Sequence, residues 1–277
     1  MSSGSLVVVG TPIGHLGDMS PRAIEALTNA SVIACEDTRR TGKLCSLLGI
    51  ARPPFLVANE HTEVARSAEI IARIVDGETV ALVSDAGMPG ISDPGERLVR
   101  AVLGAGLDVH IVPGPTAMTT ALVLSGLATD RFVFEGFLPR KGAERRRRLD
   151  EIADETRTTV FYESPKRIAG TLADLVQVCG PERSVAVARE LTKLHEEVVR
   201  ASLAEAAERF GREPVRGEIV VVLAGAASPT AEVTDVEILG LLRGELDAGR
   251  STRDAVAAVV ASTGLPKRRV YGLATTL

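Results

Sequence analysis

Residues 80–95 read VALVSDAGMPGISDPG, an apolar run that breaks into a loop holding three glycines, two prolines and two aspartates. A short valine-rich run followed by a turn and a helical pattern marks a strand feeding a helix in an α/β sheet. The loop is rigid and tightly turned, because proline fixes φ and glycine takes conformations that other residues avoid. In an open α/β sheet, the carboxyl end of a strand is where a ligand is expected.

The same wiring extends to both sides. Residues 6–9, 31–35 and 109–112 are further strand candidates, each followed by a turn and a helix-like stretch. Ser20 and Pro21 supply an N-cap and a first helical position ahead of Ala23, Ile24 and Leu27 at helical spacing, and residues 63–75 behave likewise. After Ser125 and Gly126 the texture changes. Strands are predicted at 131–135, 158–162, 184–189, 195–200 and 218–223, with helices near 142–155, 165–178 and 202–210. Strands that follow one another directly predict a mixed sheet.

The expected organisation is therefore an α/β fold: a first domain over 1–127 with a mostly parallel sheet, a second α/β domain over 128–226 with a mixed sheet, and a small helical extension over 227–277. The run GAASPTAE at 225–232 reads as a linker, and the extension carries helical patterns at 235–247, 252–262 and 266–275. No internal repeat or low-complexity segment interrupts this plan.

Composition narrows the function classes. The 277 residues are 45% hydrophobic and 25% charged, which is ordinary for a folded chain. No stretch approaches the roughly 18 apolar residues of a membrane span, and MSSGSLVVVGTPIG has no basic segment before its apolar run, so a cytoplasmic location with no membrane partner is expected. Cys35, Cys45 and Cys179 are odd in number and lack CxxC spacing, so buried thiols are expected and a metal site is not. The net charge of −4 argues against a uniformly basic surface. Yet Arg140, Lys141, Arg145, Arg146, Arg147 and Arg148 crowd together, with smaller clusters at Arg39 and Arg40 and at Lys267, Arg268 and Arg269. Such clusters are either solvated helix faces or phosphate contacts.

Two further turns accompany the first. Gly10-Thr11-Pro12-Ile13-Gly14 and Pro113-Gly114-Pro115-Thr116-Ala117 each close an apolar strand. Glycines at 10, 14 and 17 do not make GxGxxG, and Thr41-Gly42-Lys43 lacks the leading glycine of a phosphate loop. Pro12 has no amide hydrogen to offer a phosphate, so the turns suit a ligand with little negative charge.

With GTPIGHLGDMSPRA (10–23), CEDTRRT (35–41), NEHTE (59–63), ALVSDAGMPGISDPG (81–95), SGLATDRFVFEGFLPRKG (125–142), FYESPKR (161–167) and VARELTKLHEE (187–197), the chain resembles the tetrapyrrole-methylase superfamily. Within it, these strings resemble the 16S rRNA (cytidine-2′-O)-methyltransferase family almost end to end. The resemblance implies a homodimeric enzyme that binds S-adenosylmethionine in a cleft. It would methylate the ribose 2′-hydroxyl of a decoding-site cytidine in the 16S rRNA of the small ribosomal subunit. One departure is visible, since Met88 and Gly90 stand where members often carry threonine and a larger apolar residue. Cofactor contacts implied position by position are Pro12, Asp85, Met88, Ile91, Thr116, Ala117, Tyr162 and Ala188. A corrin-type methylase of small molecules and a non-catalytic RNA-binding protein are the competing readings.

A ribose hydroxyl must lose its proton as the methyl group moves, so a base is useful. Candidates are Glu36 and Asp37 after the second strand, Glu60 and His61 in NEHTE, Glu163, and Glu190 with Lys193. A lysine whose pKa is depressed by burial or by Arg189 would serve, which favours Lys193 with Glu36 or Asp37 as catalytic residues; structural ion pairs are the alternative. RNA contacts are expected from Arg39, Arg140, Lys141, Arg145, Arg146, Lys166 and Arg167. With no tryptophan and two tyrosines, base stacking is limited.

Overall fold

The computed structural model describes residues 4–51, 54–59, 62–227 and 234–277. They fall into two compact units, Met1–Ala226 and Ala227–Leu277.

The first unit opens with five parallel strands: β1 (Ser5–Val9), β2 (Val32–Cys35), β3 (Phe55–Val57), β4 (Thr79–Val83) and β5 (Asp108–Val112), in the order β3-β2-β4-β1-β5. The helices between them are α1 (Pro21–Asn29), α2 (Thr38–Leu47), α3 (Glu63–Val75) and α4 (Glu96–Gly104). Side chains alternate across each strand, and helices cover both faces of the sheet's centre. Leu6, Val80 and Leu82 pack on α3 and α4, while Val9, Ala81 and Val83 pack on α1 and α2. The short strand β3 was not expected, because three residues show no readable period.

From β1 the chain crosses over β4 to reach β2, and from β4 it crosses over β1 to reach β5. The connections leaving the adjacent strands β1 and β4 thus depart in opposite directions. That opens a crevice at their carboxyl ends.

The second sheet runs β6-β7-β10-β8-β9, from β6 (Phe132–Phe137), β7 (Thr158–Glu163), β8 (Ser184–Arg189), β9 (Glu197–Ser202) and β10 (Ile219–Leu223). Only β6 and β7 pair in parallel, so the sheet is mixed as the sequence predicted. One face, with Phe161, Val187 and Val221, packs on α6 (Gly142–Asp154), α7 (Ile168–Cys179) and α8 (Leu203–Arg212). The other, with Val160, Ala188 and Val222, is covered by Ala121 and Leu122 of α5 (Ala117–Ser125) and by Ile13 from the turn after β1. Helix α5 follows the first sheet in sequence but packs on the second, so both sheets border one crevice.

The second unit packs α9 (Asp235–Asp247), α10 (Thr252–Thr263) and α11 (Lys267–Ala274) around Ile238, Leu242, Val256, Val259 and Val270. Thr234 and Glu237 form a reciprocal capping box on α9. Most of GAASPTAE lies outside the described residues.

One buried carboxylate holds the end of the loop that follows β4. Glu63, in the first turn of α3, is 4% exposed. Its Oε1 accepts from Gly95 N at 2.9 Å and Leu98 N at 2.8 Å. It caps α4 from outside, because Gly95 at the N-cap position has no side chain to do so. Glu63→Ala is expected to cost about 2 kcal/mol by leaving two buried donors unpaired, with Glu63→Gln costing less because its amide oxygen still accepts. Scanning calorimetry checks this; equal melting temperatures for Glu63→Ala and the parent would remove the capping role.

Candidate functional site

Three turns meet at the crevice. The turn after β1 and the loop after β4 join through Thr11 N to Gly87 O at 2.9 Å and Gly87 N to Thr11 O at 3.1 Å. The turn after β5 closes on the same point. A Cβ added to Gly10 would lie 2.6 Å from Gly114 Cα, so the two backbones touch where no side chain fits. Met88 is part of this junction, its sulfur accepting from Gly114 N at 3.3 Å. The departure at position 88 therefore ties two turns together.

Between these turns and the second sheet lies a cavity of about 410 Å³. Its apolar wall includes Ile13, Met88, Ile91, Ala117, Tyr162 and Val220. A bulge in β6 between Phe134 and Phe137 brings Phe137 onto the rim, where its ring meets Tyr162 edge-on at 5.5 Å. Glu36, Asp85, Asp93 and Glu218 add carboxylates, and Arg40 is the one cation among the described lining residues. A cavity so lined holds a compact ligand with an apolar body and positive charge.

The carboxylates differ in character. Asp85 is pushed up by burial, against Arg40, whose Nε lies 3.3 Å from Oδ2, and against Asp37 N, which donates to Oδ1 at 3.2 Å. Asp93 is pushed up to about 6 by burial and then by Glu36, with smaller contributions from Asp85 and Glu218 and opposition from a Ser84 hydrogen bond. Tyr162 is raised by burial. Three non-glycine residues have left-handed backbones among those described: Ser92 at φ 59°, which lines the cavity, and Glu190 at 51° and Thr192 at 63°, which precede Lys193 of the adjoining space. Strain held by surrounding structure clusters at working sites.

Most residues expected to touch a cofactor converge here. Asp85, Met88, Ile91, Thr116, Ala117 and Tyr162 all line the cavity. Pro12 lines an adjoining space of about 330 Å³ that shares Ile13, Arg40, Asp85 and Glu218 with it. Ala188 is 1% exposed in the apolar layer beneath α5, and its cross-strand partner Val220 reaches the cavity instead.

The expected catalytic residues separate. Glu36 lines the cavity. Asp37 caps α2 and folds onto Arg39 at 2.6 Å, a bond that holds its carboxyl down at about 2. Lys193 needs a correction. Burial does push its pKa down, but hydrogen bonds to Glu190 at 2.8 Å and Glu218 at 3.0 Å outweigh that and raise it above the ordinary value. The expected depression fails because Glu218, 25 residues away in sequence, arrives beside the ammonium. Glu163 is 2% exposed and spent on Ser164 N, Thr171 Oγ1 and Arg167. Glu60 and His61 lie outside the described residues. Asp93 and Glu218 were not expected; Asp93 was legible as the second aspartate of the loop that follows β4, whereas nothing local marks Glu218.

The basic residues also divide. Arg145 points inward, bonding Asp174 at 2.7 Å, Thr171 and Pro139 O, and Arg167 bonds Glu163 and Leu138 O. Both side chains are engaged within the fold. Arg145 precedes the buried Leu149 by four residues and shares its helix face. Arg140, Lys141, Arg146 and Lys166 are exposed, without ion-pair partners among the described residues. Arg39 is exposed but paired to Asp37. The three cysteines are free, and no cluster that could hold a metal ion occurs among the described residues.

Comparison with known proteins agrees with this architecture. The family model for tetrapyrrole (corrin/porphyrin) methylases matches residues 5–207. A Synechocystis sp. protein named ribosomal RNA small subunit methyltransferase I is 44% identical over 99% of this chain and 98% of its own. A Mycobacterium bovis protein of the same name is 48% identical over 98% of this chain and 94% of its own. Among solved structures, uroporphyrin-III C-methyl transferase from Thermus thermophilus, complexed with S-adenosylhomocysteine, superposes with TM-score 0.56 at 22% identity, covering 80% of this chain and 97% of that one.

Proposed function

The chain belongs to the tetrapyrrole (corrin/porphyrin) methylase family, and from that premise we propose that it is an S-adenosylmethionine-dependent methyltransferase acting on the RNA of the small ribosomal subunit. The acid-lined cavity at the meeting of three turns carries the reading, because it suits a cationic ligand and offers no phosphate cradle. The names of its near full-length relatives support the ribosomal substrate. The finer reading is transfer to the 2′-hydroxyl of a decoding-site cytidine in 16S rRNA, supported by the motifs it shares with that branch.

The residues fit the cofactor. Asp85 and Glu36 offer carboxylates to its positive charges, and Met88, Ile91, Ala117 and Tyr162 offer apolar surface. Bound, it supplies a methyl group on a positively charged sulfur, a leaving group that needs no protonation. The chain's own contribution is to orient the acceptor, exclude water and take up a proton.

Exposed Arg140, Lys141, Arg146 and Lys166 suit phosphate contacts. Replacing all four by alanine is expected to lower the slope of log affinity against log salt by about 3, given roughly 0.7 per single-strand phosphate contact. Filter binding to small-subunit RNA checks this; an unchanged slope moves the RNA elsewhere. The reading also includes a homodimer, supported by exposed Ile111 on edge strand β5 and Val123 on α5. It places the action in the cytoplasm; no helix among the described residues is long and apolar enough to cross a membrane.

The test is transfer of tritium from labelled S-adenosylmethionine to small ribosomal particles, mapped by nuclease digestion to a 2′-O-methyl nucleoside. Label on a base would overturn the finer reading, and label only on a free tetrapyrrole would overturn both.

A further inference from the structure

We propose that Asp93 is the group that accepts the proton of the acceptor hydroxyl, an assignment that rests on the methyltransferase reading above. Its position is the first argument. Asp93 lines the 410 Å³ cavity directly after Ser92, whose left-handed φ of 59° stands between Gly90 at 83° and Gly95 at 136°. Glu63 pins the far end of that loop through Gly95 N and Leu98 N. A loop so constrained holds one carboxylate in a fixed place.

The surroundings are the second argument. Asp93 is faced by Glu36 from the end of β2, by Ser84 and Asp85 from the end of β4, by Glu218 just before β10, and by Tyr162 of β7. Arg40, the one cation among the described lining residues, is turned to Asp85. Burial among acids leaves Asp93 at about 6, ionised near neutrality yet more basic than an ordinary carboxylate. Two of the other candidates are spent. Lys193 is held protonated between Glu190 and Glu218, and Asp37 is closed on Arg39.

The step balances without a further reactant. The hydroxyl O–H bond breaks and its proton passes to a carboxylate oxygen of Asp93. The electron pair left on oxygen forms the new bond to the methyl carbon, and the carbon–sulfur bond breaks with its electrons kept by sulfur, which becomes a neutral thioether. Asp93 then releases the proton to water.

The experiment uses the full chain, small ribosomal particles, labelled S-adenosylmethionine and the variants Asp93→Asn and Asp93→Glu. Asp93→Asn is expected to lower kcat by about 100-fold or more while S-adenosylhomocysteine affinity, by calorimetry, stays within about threefold. The parent's kcat/KM is expected to rise with pH through about 6 and then level. Asp93→Asn loses that limb, and Asp93→Glu keeps part of it.

A ligand-free readout accompanies this. The folded carboxyl titrates at about 6, above its ordinary 3.8, so its stabilisation is full below that ordinary value and is lost as pH rises through about 6. The parent's melting temperature carries this fall, and Asp93→Asn removes it. Retention of kcat by Asp93→Asn overturns the assignment, as does a loss confined to cofactor affinity, which makes Asp93 an anchor. Parent protein that labels no particle overturns the methyltransferase reading and this assignment with it.

Discussion

Asp85→Arg is expected to weaken S-adenosylhomocysteine binding by roughly 100-fold, about 3 kcal/mol. Asp85 lines the main cavity and the adjoining space, so its side chain stands where they communicate. Its carboxylate is one of five acids lining a cavity with a single described cation, and it orders the end of β2 by accepting from Asp37 N. Arginine there removes a negative charge, adds a positive one and repels Arg40. Truncating one member of a partly buried charge pair costs about 2–5 kcal/mol, and reversal lies within that span. Asp85→Asn keeps the shape and an acceptor oxygen, so a loss of about tenfold is expected. Calorimetry reads both, with circular dichroism reporting the fold. Affinity within about threefold of the parent for a folded Asp85→Arg would show that the cation is held elsewhere.

Gly10→Ala is expected to destabilise the first unit by about 3 kcal/mol or more, lowering its melting temperature by roughly 6–12 °C. The new Cβ would lie 2.6 Å from Gly114 N, from Gly114 Cα and from Met88 Sδ. Two of these atoms are backbone and cannot rotate away, and β1 is the strand between β4 and β5. Relief requires the turn after β5 to move, which carries Thr116 and Ala117 out of the cavity wall. Cofactor affinity should therefore fall with stability. Gly49→Ala is the control, because a Cβ there meets nothing within 4 Å and only its left-handed φ of 69° is strained. Equal melting temperatures for Gly10→Ala and the parent would exclude the close approach.

Local signals carried far in this chain. Short β-branched runs gave nine of the ten strands among the described residues to within a few residues, because a strand buried on both faces reads as a continuous apolar run. Serine and proline ahead of the first helix marked a cap that the structure has at Ser20. The glycine and proline turns located the cavity wall, because a backbone that bends or touches another backbone restricts its own residues. Where local signals stopped, the site stopped being legible. Strand β3 was too short to show a period, and the apolar helix α5 gave no sign of which sheet it would cover.

The sequence by itself determined the layered α/β architecture and the three turns, since these follow from propensities acting over a few residues, while the six residues of the cavity wall came from the resemblance to the family. Only the tertiary structure decided what each ionisable side chain does. Glu218 reaches Lys193 and keeps it charged. Asp174 takes Arg145 away from solvent. Glu36, Asp85 and Glu218 gather around Asp93 and raise its pKa. Charge interactions depend on distance through space and on the water removed between groups. Neither quantity is written in spacing along the chain. Thus the loop over residues 85–95 announced a ligand from its glycines and prolines, while the difference between its two aspartates, one beside Arg40 and one among acids, came from folding alone.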